Sequence, residues 1–381
     1  MRIRFLHRLC RIFLAFDLTL LLFTNAVAAG HRKILHTFLD EPAANPGSNL
    51  IFDGQGNIYG STASSGRQAC KCGTIFRLSP EAGGQWGYRV LYQFKGKDDG
   101  GYPVGSLAFD DADNLYGVSA FGYGSIFKLT QQSDGSWTET TIYTFKGPPD
   151  GSTPYSGLTI DKFRSIYGTT REGGVNGLGA VYQLTPMSNG GWSENVIYSF
   201  SGQDGEYPWA EVIVDPSGNL YGTTIWGGNY GWGTVFKLTP NGGNWTETVL
   251  YSFKAGSAHG LPAAGVYVDS LGNIYGTLSD NGTGYGGAVF RLKLSGDTAG
   301  NLYGTTYVGG ANGDGTIYKL SHMPSGEWKE TVFLSFDYTD GANPANNPVT
   351  FDPSGDLFVA TGAGGRHAGY DGYGVVLEIA P

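Results

Sequence analysis

The heptapeptide GNLYGTT occurs twice in this chain, at 218–224 and 300–306, and variants of it recur along most of the sequence. The steps between the aromatic residues at its fourth position are 57, 51, 54, 54, 28 and 55 residues. A self-similar period of this length is typical of an array of units that are stabilised by their neighbours. The seven aromatic residues, which number the units 1 to 7, are Tyr59, Tyr116, Tyr167, Tyr221, Tyr275, Tyr303 and Phe358.

Each unit contains short segments rich in Val, Ile, Tyr, Phe and Thr, bounded by Gly, Pro, Asn or Asp. The copy at 210–253 shows them as AEVIVD, GNLYGTT, GTVFKLTP and WTETVLYSF, which we label strands a, b, c and d. Such segments are typical of β-strands, and no stretch after residue 28 has a helical period. Four antiparallel strands in each repeat predict an all-β fold, a β-propeller, with an open solenoid as the alternative.

The two ends of the chain favour the closed arrangement. The first strand after residue 28 has a d-type sequence, KILHTF (33–38), and the last has a c-type sequence, GVVLEI (374–379). Because the last unit lacks its own strand d, we expect the N-terminal strand to complete it. This pairing would leave no open sheet edge, whereas an open solenoid gains nothing from such an offset.

The 28-residue step between Tyr275 and Tyr303 is short by about two strands. One interpretation keeps two strands in unit 5 and uses 288–297 as strand a of the next unit, which gives seven blades. The alternative is a b–c hairpin that widens one blade of a six-bladed ring. We expect seven blades in a single domain that spans 29–381.

Residues 1–28 read as a secretory signal peptide, with a basic start, an apolar stretch and a cleavage site after Ala28; the alternative is an uncleaved N-terminal anchor. The segment carries a net charge of +3, so removing it changes the net charge of the chain from −9 to −12. An acidic chain with scattered charges is unsuited to nucleic acid, and no second apolar run is long enough to span a membrane. We therefore expect a secreted or cell-envelope monomer with neither a nucleic-acid partner nor a membrane span.

Two cysteines remain after the signal segment, Cys70 and Cys72, in the sequence QACKCG. Two cysteines form neither a disulfide framework nor a closed four-ligand zinc site. A local bridge and two unreactive thiols both remain open.

Two recurrent features are expected to be structural. The Tyr-Gly pair of strand b places a glycine where chains approach closely, and the tyrosine can wedge between blades with its hydroxyl bonded to a partner. Strand d begins with a tryptophan in every complete unit, which predicts packing rather than sugar stacking. These tryptophans are Trp86, Trp137, Trp192, Trp245 and Trp328.

The loops between strands d and a carry an Asp-Gly-x-x-Pro pattern. Asp-Gly and Pro are favoured in turns for backbone reasons, which is the simpler interpretation. A ring of carboxylates that holds Ca²⁺ is the weaker alternative, and no other cofactor is indicated. The aspartates are Asp99, Asp150, Asp204 and Asp340.

The loops between strands b and c vary most and are rich in glycine and aromatic residues. In an up-and-down blade they emerge on the same face as the d–a loops, and binding residues tend to lie on loops that a rigid scaffold positions. The strongest candidate is 225–233, which combines three aromatic residues with four glycines. The candidate binding residues are Trp226, Tyr230, Trp232, Tyr123, Tyr285, Tyr370 and Tyr373. The alternative is that these rings fold back over their own loops.

The order AGNLYGTT, GTVFKLTP and WTETVLYSF, followed by an Asp-Gly turn, resembles the GloVer tandem repeat of bacterial choice-of-anchor extracellular proteins. The resemblance covers roughly 33–379 and implies an exported bacterial protein, without catalytic residues to transfer to this sequence.

We expect a binding scaffold for an extracellular glycan or protein. The alternatives are an extracellular polysaccharide lyase or hydrolase, and a passive envelope or matrix component. The sequence has no Gly-x-Ser-x-Gly, His-Glu-x-x-His or phosphate-loop motif, which disfavours the enzyme.

Overall fold

The computed structural model describes residues 32–39, 44–64, 70–96, 99–254, 261–268, 273–278, 288–292, 302–306, 310–322, 328–344, 349–352, 356–367, 370–371 and 373–379. The regular structure of these residues is β-strand, apart from one 3₁₀ turn at Ala82–Gly84. The predicted signal peptide lies outside them. No helix in the described part of the chain is long and apolar enough to cross a membrane.

Units 1 to 4 form separate antiparallel sheets in the order a-b-c-d. Strand a is short in three of them because its first residues belong to the d–a loop. The strands of unit 1 are Ile51–Phe52, Ile58–Ser64, Thr74–Pro80 and Trp86–Gln93, with Ala44–Pro46 added beside strand b; those of unit 2 are Pro103–Phe109, Leu115–Ser119, Ser125–Gln131 and Trp137–Thr144; those of unit 3 are Thr159–Ile160, Ile166–Thr170, Ala180–Pro186 and Trp192–Ser199; those of unit 4 are Ile213–Val214, Leu220–Thr224, Thr234–Asn241 and Asn244–Ser252. Gly151–Ser152 and Glu172–Gly173 pair as a small ribbon beside unit 3.

Unit 5 differs from the two-stranded unit that the sequence predicted. Its sheet has three described strands, Tyr267–Val268, Ile274–Leu278 and Ala288–Leu292. The last of these pairs with strand b, Gly276 opposite Phe290, and is therefore strand c of unit 5, not strand a of the next unit. The prediction was wrong because it followed the spacing, although AVFRL is a c-type sequence whose Phe290 packs on the glycine of strand b.

Unit 6 has three described strands, Leu302–Thr306, Thr316–His322 and Trp328–Ser335, which correspond to b, c and d. Among the described residues, unit 5 has no strand d and unit 6 has no strand a.

Unit 7 confirms the predicted role of the N-terminal strand. Arg32–Thr37 pairs antiparallel with strand c, Val375–Ile379, in a sheet completed by Leu357–Ala360 and Thr350–Phe351. A short hairpin of Arg366–His367 and Tyr370–Asp371 lies in the b–c loop of this unit. Both ends of the chain thus belong to one four-stranded sheet.

The glycine of strand b packs against an aromatic ring of strand c. In unit 2, a Cβ added to Gly117 would lie 2.3 Å from the Phe127 ring, far inside van der Waals contact. Five other units repeat this pair, at 2.2–2.6 Å. Where unit 7 replaces the glycine by Val359, the residue opposite is Leu377 instead of an aromatic residue. The glycine therefore provides the space that the ring occupies.

Neighbouring sheets pack through the aromatic residues of strands b and d. Tyr116 of unit 2 meets Trp192 of unit 3 edge-to-face at 6.0 Å, and Tyr167 meets Trp245 of unit 4 at 6.1 Å. Trp86 and Trp137 pack against core residues in the same way, which confirms the predicted packing role. The side chain of Trp328 lies outside the described residues.

The strand-b tyrosine also ties its own turn, as predicted. The hydroxyl of Tyr59 donates to Asp53 at 3.0 Å, and the same bond recurs from Tyr116 to Asp110. The aspartate caps the a–b turn by accepting backbone N–H bonds from the residues two and four positions ahead.

The hydrophobic core lies between the sheets. Separate clusters join units 1 and 2, 2 and 3, 3 and 4, 4 and 5, and 6 and 7. A further cluster packs Phe38 and Phe358 of unit 7 against Phe76 of unit 1. The fold is thus an all-β array of antiparallel sheets, compatible with a propeller, and its last unit packs on its first.

The glycine–ring contact yields a stability prediction. Gly117→Ala should destabilise the protein by about 1–3 kcal/mol, the usual cost of overpacking a core, because Phe127 cannot move without displacing Leu107. Urea unfolding followed by tryptophan fluorescence would measure the change.

Two variants control this measurement. Gly54→Ala adds a methyl group where no atom lies within 4 Å and should leave the free energy of unfolding unchanged. Phe127→Leu should recover part of the loss when combined with Gly117→Ala. An unfolding free energy for Gly117→Ala equal to that of Gly54→Ala would contradict the role assigned to this glycine.

Candidate functional site

The b–c loops and the d–a loops meet on one side of the sheets, as predicted. In each case a backbone N–H of a d–a loop donates to a carbonyl in the b–c loop of the preceding unit. Thr153 bonds to the carbonyl of Tyr123 at 3.0 Å, and Tyr207 to that of Leu178 at 2.8 Å. We call this side of the molecule the loop face.

The residue before the proline of each d–a loop has a positive φ, between 52° and 62°. This conformation is disfavoured for a residue other than glycine, and more so before proline. The six residues are Asn45, Tyr102, Thr153, Tyr207, Leu261 and Asn343. Because all six residues share this positive φ, the backbone bend before the proline is a feature of the repeat. Only the side chain at the bend changes from unit to unit.

The loop with the strongest sequence signal lies at the edge of unit 4. Trp226 is 40% exposed and Tyr230 is 57% exposed. The backbone of Trp226 exchanges two hydrogen bonds with Glu206 of the d–a loop, which holds the ring in place. Trp232 lies 5.9 Å from Trp226, ring centre to ring centre, but is only partly exposed because it packs against the core between units 4 and 5.

The other predicted aromatic residues have different outcomes. Tyr123 is exposed on the loop of unit 2, where it rests against Gly147. Tyr373 is exposed on unit 7. Tyr285 lies outside the described residues, and the side chain of Tyr370 does as well.

The structure adds aromatic residues of the d–a loops that the sequence reasoning missed. Tyr155 and Trp209 stack with their ring centres 5.6 Å apart and their planes at 19°. The guanidinium of Arg171 lies 5.0 Å from the Trp209 ring centre. Tyr102 likewise faces Phe121 at 6.3 Å. The available signal was an aromatic residue directly beside the repeat proline, as in TPY and YPW.

The candidate metal ligands are turn residues in the structure. Asp99 accepts hydrogen bonds from the backbone N–H of Lys95, and Asp150 from that of Lys146. Asp204 and Asp340 accept the corresponding bonds in their own turns. The described residues contain no group of three or more acidic, histidine or cysteine side chains placed to hold a metal ion.

These aspartates take part in a repeated contact between neighbouring units. The hydroxyl of Tyr143 lies 2.8 Å from Asp150 and 3.2 Å from Glu194 of the next unit. Because the hydroxyl has one hydrogen, it donates to only one of the two carboxylates at a time. Burial, reinforced by the charge of Asp150, raises the pKa of Glu194.

On either side, the equivalent tyrosine hydroxyl of strand d again donates to the aspartate of its own turn. Burial, and to a smaller extent the charge of Asp99, raises the pKa of Glu139 to about 7. Burial and the charge of Asp204 do the same for Glu247, whose pKa is also about 7. Three consecutive interfaces of the array therefore each hold a glutamate whose pKa is raised.

The cysteines of the unit 1 loop form a disulfide, Cys70–Cys72, next to the d–a loop at Gly101.

Comparison with known proteins identifies the repeat. The family model described as the Gloeobacter/Verrucomicrobia repeat matches residues 21–164 and 118–299. The chain belongs to this repeat family. The match begins within the predicted signal segment and runs through unit 5, so it covers most of the array. No curated protein matches the sequence.

Solved structures resemble the chain more distantly. One from Thermus thermophilus, described as an oxidoreductase (glucose dehydrogenase), has 16% identity and a TM-score of 0.48, and the match covers 92% of this chain and 99% of that one. One from Bacteroides uniformis, described as a 6-phosphogluconolactonase, has 14% identity and a TM-score of 0.46, with 85% and 80% covered. At these values neither structure bears on the activity of this protein.

The repeated glutamates predict a pH-dependent stability. Their pKa in the folded protein lies above the ordinary 4.5, so the folded state binds more protons than the unfolded state between about pH 4.5 and 7. Stability should therefore fall as pH rises through this window. We expect the melting temperature to be higher at about pH 5 than at about pH 8.

Glutamine variants test the origin of this effect. The double variant Glu139→Gln, Glu247→Gln should show a weaker pH dependence in differential scanning calorimetry. Glu172→Gln, at a more exposed carboxylate, should behave as the unmodified chain does. A melting temperature that rises over the same pH range in the unmodified chain would rule out this explanation.

Proposed function

We propose that this protein is an exported, seven-bladed β-propeller whose loop face binds an extracellular glycan. The single observation that carries the proposal is the concentration of stacked and exposed aromatic rings on the loop face of units 2 to 4.

Three features support the ring of seven blades. Seven separate sheets follow one another along the described chain, one for each strand-b aromatic residue. The N-terminal strand lies in the last sheet. A core cluster packs that sheet against the first, so the array bends round to meet its own beginning.

The aromatic rings lie in small groups on neighbouring units, not in one apolar patch. They are the pair Tyr102 and Phe121, the pair Tyr155 and Trp209, and the loop that carries Trp226 and Tyr230. Flat rings bordered by glycine and polar groups suit the alternating apolar and hydroxylated faces of sugar rings. Several such groups on one face favour a ligand with several similar residues, as in a polysaccharide chain.

Export is supported by the character of residues 1–28, which read as a signal peptide. The Cys70–Cys72 bridge agrees with an oxidising compartment, where disulfides persist. The loop face would then be presented to extracellular polymers.

A glycan array would test the proposal, with the chain lacking residues 1–28 applied with and without Ca²⁺. We expect selective binding to at least one glycan class. The double variant Trp226→Ala, Tyr230→Ala should lose at least about tenfold in affinity, or 1.4 kcal/mol. Its melting temperature should stay close to that of the unmodified chain because both rings are exposed.

Phe163→Ala provides the control, because Phe163 is an aromatic residue that is even more exposed, at 72%, and lies in an a–b turn, away from the loop face. It should bind as the unmodified chain does. A blank array, together with capture of a cell-surface protein that the double variant fails to capture, would replace the glycan with a protein partner. A large loss of stability in the double variant would show that the two rings have a packing role.

A further inference from the structure

The residue that begins the apolar part of strand a occupies the same place in each unit, four positions before the aspartate of the a–b turn. In units 1 to 4 it is Asn49, Ser106, Gly157 and Glu211. Ser106 donates to a carboxyl oxygen of Glu211 at 2.5 Å, and the amide of Asn49 donates to Ser106 at 2.5 Å. Equivalent side chains of units 1, 2 and 4 can meet only where their first strands converge. This point is the axis of the proposed ring.

Glycine provides the space that this cluster occupies. A Cβ added to Gly157 would lie 2.1 Å from the carboxyl of Glu211. Gly265, the equivalent residue of unit 5, has only ordinary contacts, the shortest 3.5 Å from the backbone of Glu211. The side chain of Glu211 therefore passes Gly157 of unit 3 to reach Ser106 of unit 2. It can do so only because residue 157 is glycine.

The stacked pair Tyr155 and Trp209 lies directly beside the cluster. Tyr155 lies two positions before Gly157, and Trp209 lies two positions before Glu211. The Tyr155–Trp209 stack and the contact between Gly157 and Glu211 are therefore neighbouring contacts between the same two segments. Two residues of extended chain span about 6.6 Å, which is the scale of one sugar ring. The two stacked rings lie on the loop-face side of the cluster, because Trp209 follows the proline of the d–a loop.

We propose that Glu211, Ser106 and Asn49, together with the Trp209–Tyr155 stack, form an axial site that binds one ring of a neutral sugar. This inference rests on the proposed glycan-binding function and adds to it a site that is separate from the Trp226 loop.

The chemistry of the three polar groups selects the ligand class. Burial raises the pKa of Glu211, and the hydrogen bond from Ser106 partly opposes this effect. A carboxamide, a hydroxyl and a single carboxyl together offer hydrogen-bond donors and acceptors in one cluster, as sugar hydroxyl groups require. None of these three groups is a cation, the guanidinium of Arg171 lies against the Trp209 ring, and a metal ion would find one carboxyl.

Isothermal titration calorimetry tests the site, with the chain lacking residues 1–28 and four neutral probes: cellohexaose, xylohexaose, mannohexaose and maltohexaose. Hexagalacturonate and CaCl₂ alone serve as charged probes. We expect at least one neutral hexaose to bind. Glu211→Ala and Gly157→Ala should each weaken that binding at least about tenfold, the first by removing the carboxyl and the second by displacing it. Gly265→Ala, the same change at the equivalent residue of unit 5, should bind as the unmodified chain does.

Melting temperatures separate a local effect from loss of the fold, and Trp209→Ala replaces Gly157→Ala if the latter does not fold. Failure of all four neutral hexaoses to bind overturns the axial site. Unchanged binding by Glu211→Ala and Gly157→Ala also overturns the axial site. If the Trp226→Ala, Tyr230→Ala variant then loses the same binding, the proposed function stands without the axial site. Tighter binding of hexagalacturonate than of any neutral probe, or stabilisation by CaCl₂ that Glu211→Ala abolishes, overturns the choice of ligand class.

Discussion

The contact between the strand-b glycine and the strand-c aromatic ring determines the shape of every unit in which it occurs. Because the ring fills the space above the glycine, the tyrosine one position earlier must point to the other side of the sheet. There it bonds to the aspartate of its own turn and meets the tryptophan of the next unit. Turn, sheet and inter-unit packing thus depend on one missing side chain, and unit 7 shows the same complementarity with Val359 and Leu377.

A frame repeated in this way separates architecture from recognition. The bend before each proline, the capping aspartates and the buried aromatic residues recur from unit to unit, so none of them distinguishes one unit from another. The side chains on the bends and in the b–c loops do change. The bends of units 2 and 4 present tyrosine and that of unit 3 presents threonine, whereas those of units 1 and 7 present asparagine. A ligand would therefore be recognised by an asymmetric part of a nearly symmetric face.

Much of this could be read from the sequence, because a repeat provides its own internal comparison. The strand order and the role of Arg32–Thr37 in the last sheet followed from c- and d-type sequences at the two ends. The place of Ala288–Leu292 in unit 5 did not follow, because the spacing alone is compatible with either sheet. The stack of Tyr155 on Trp209 was missed because both residues lie in loops that were interpreted only as turns.

The sequence by itself determined the period, the strand types and the structural role of the residues that recur, since local composition and spacing specify strands and turns. Only the tertiary structure decided which residues from different units come together. Asn49, Ser106 and Glu211 are separated by 57 and 105 residues and have no local signal in common. Their meeting depends on how the sheets bend round towards their own beginning, a property of the packing between units that no single unit contains.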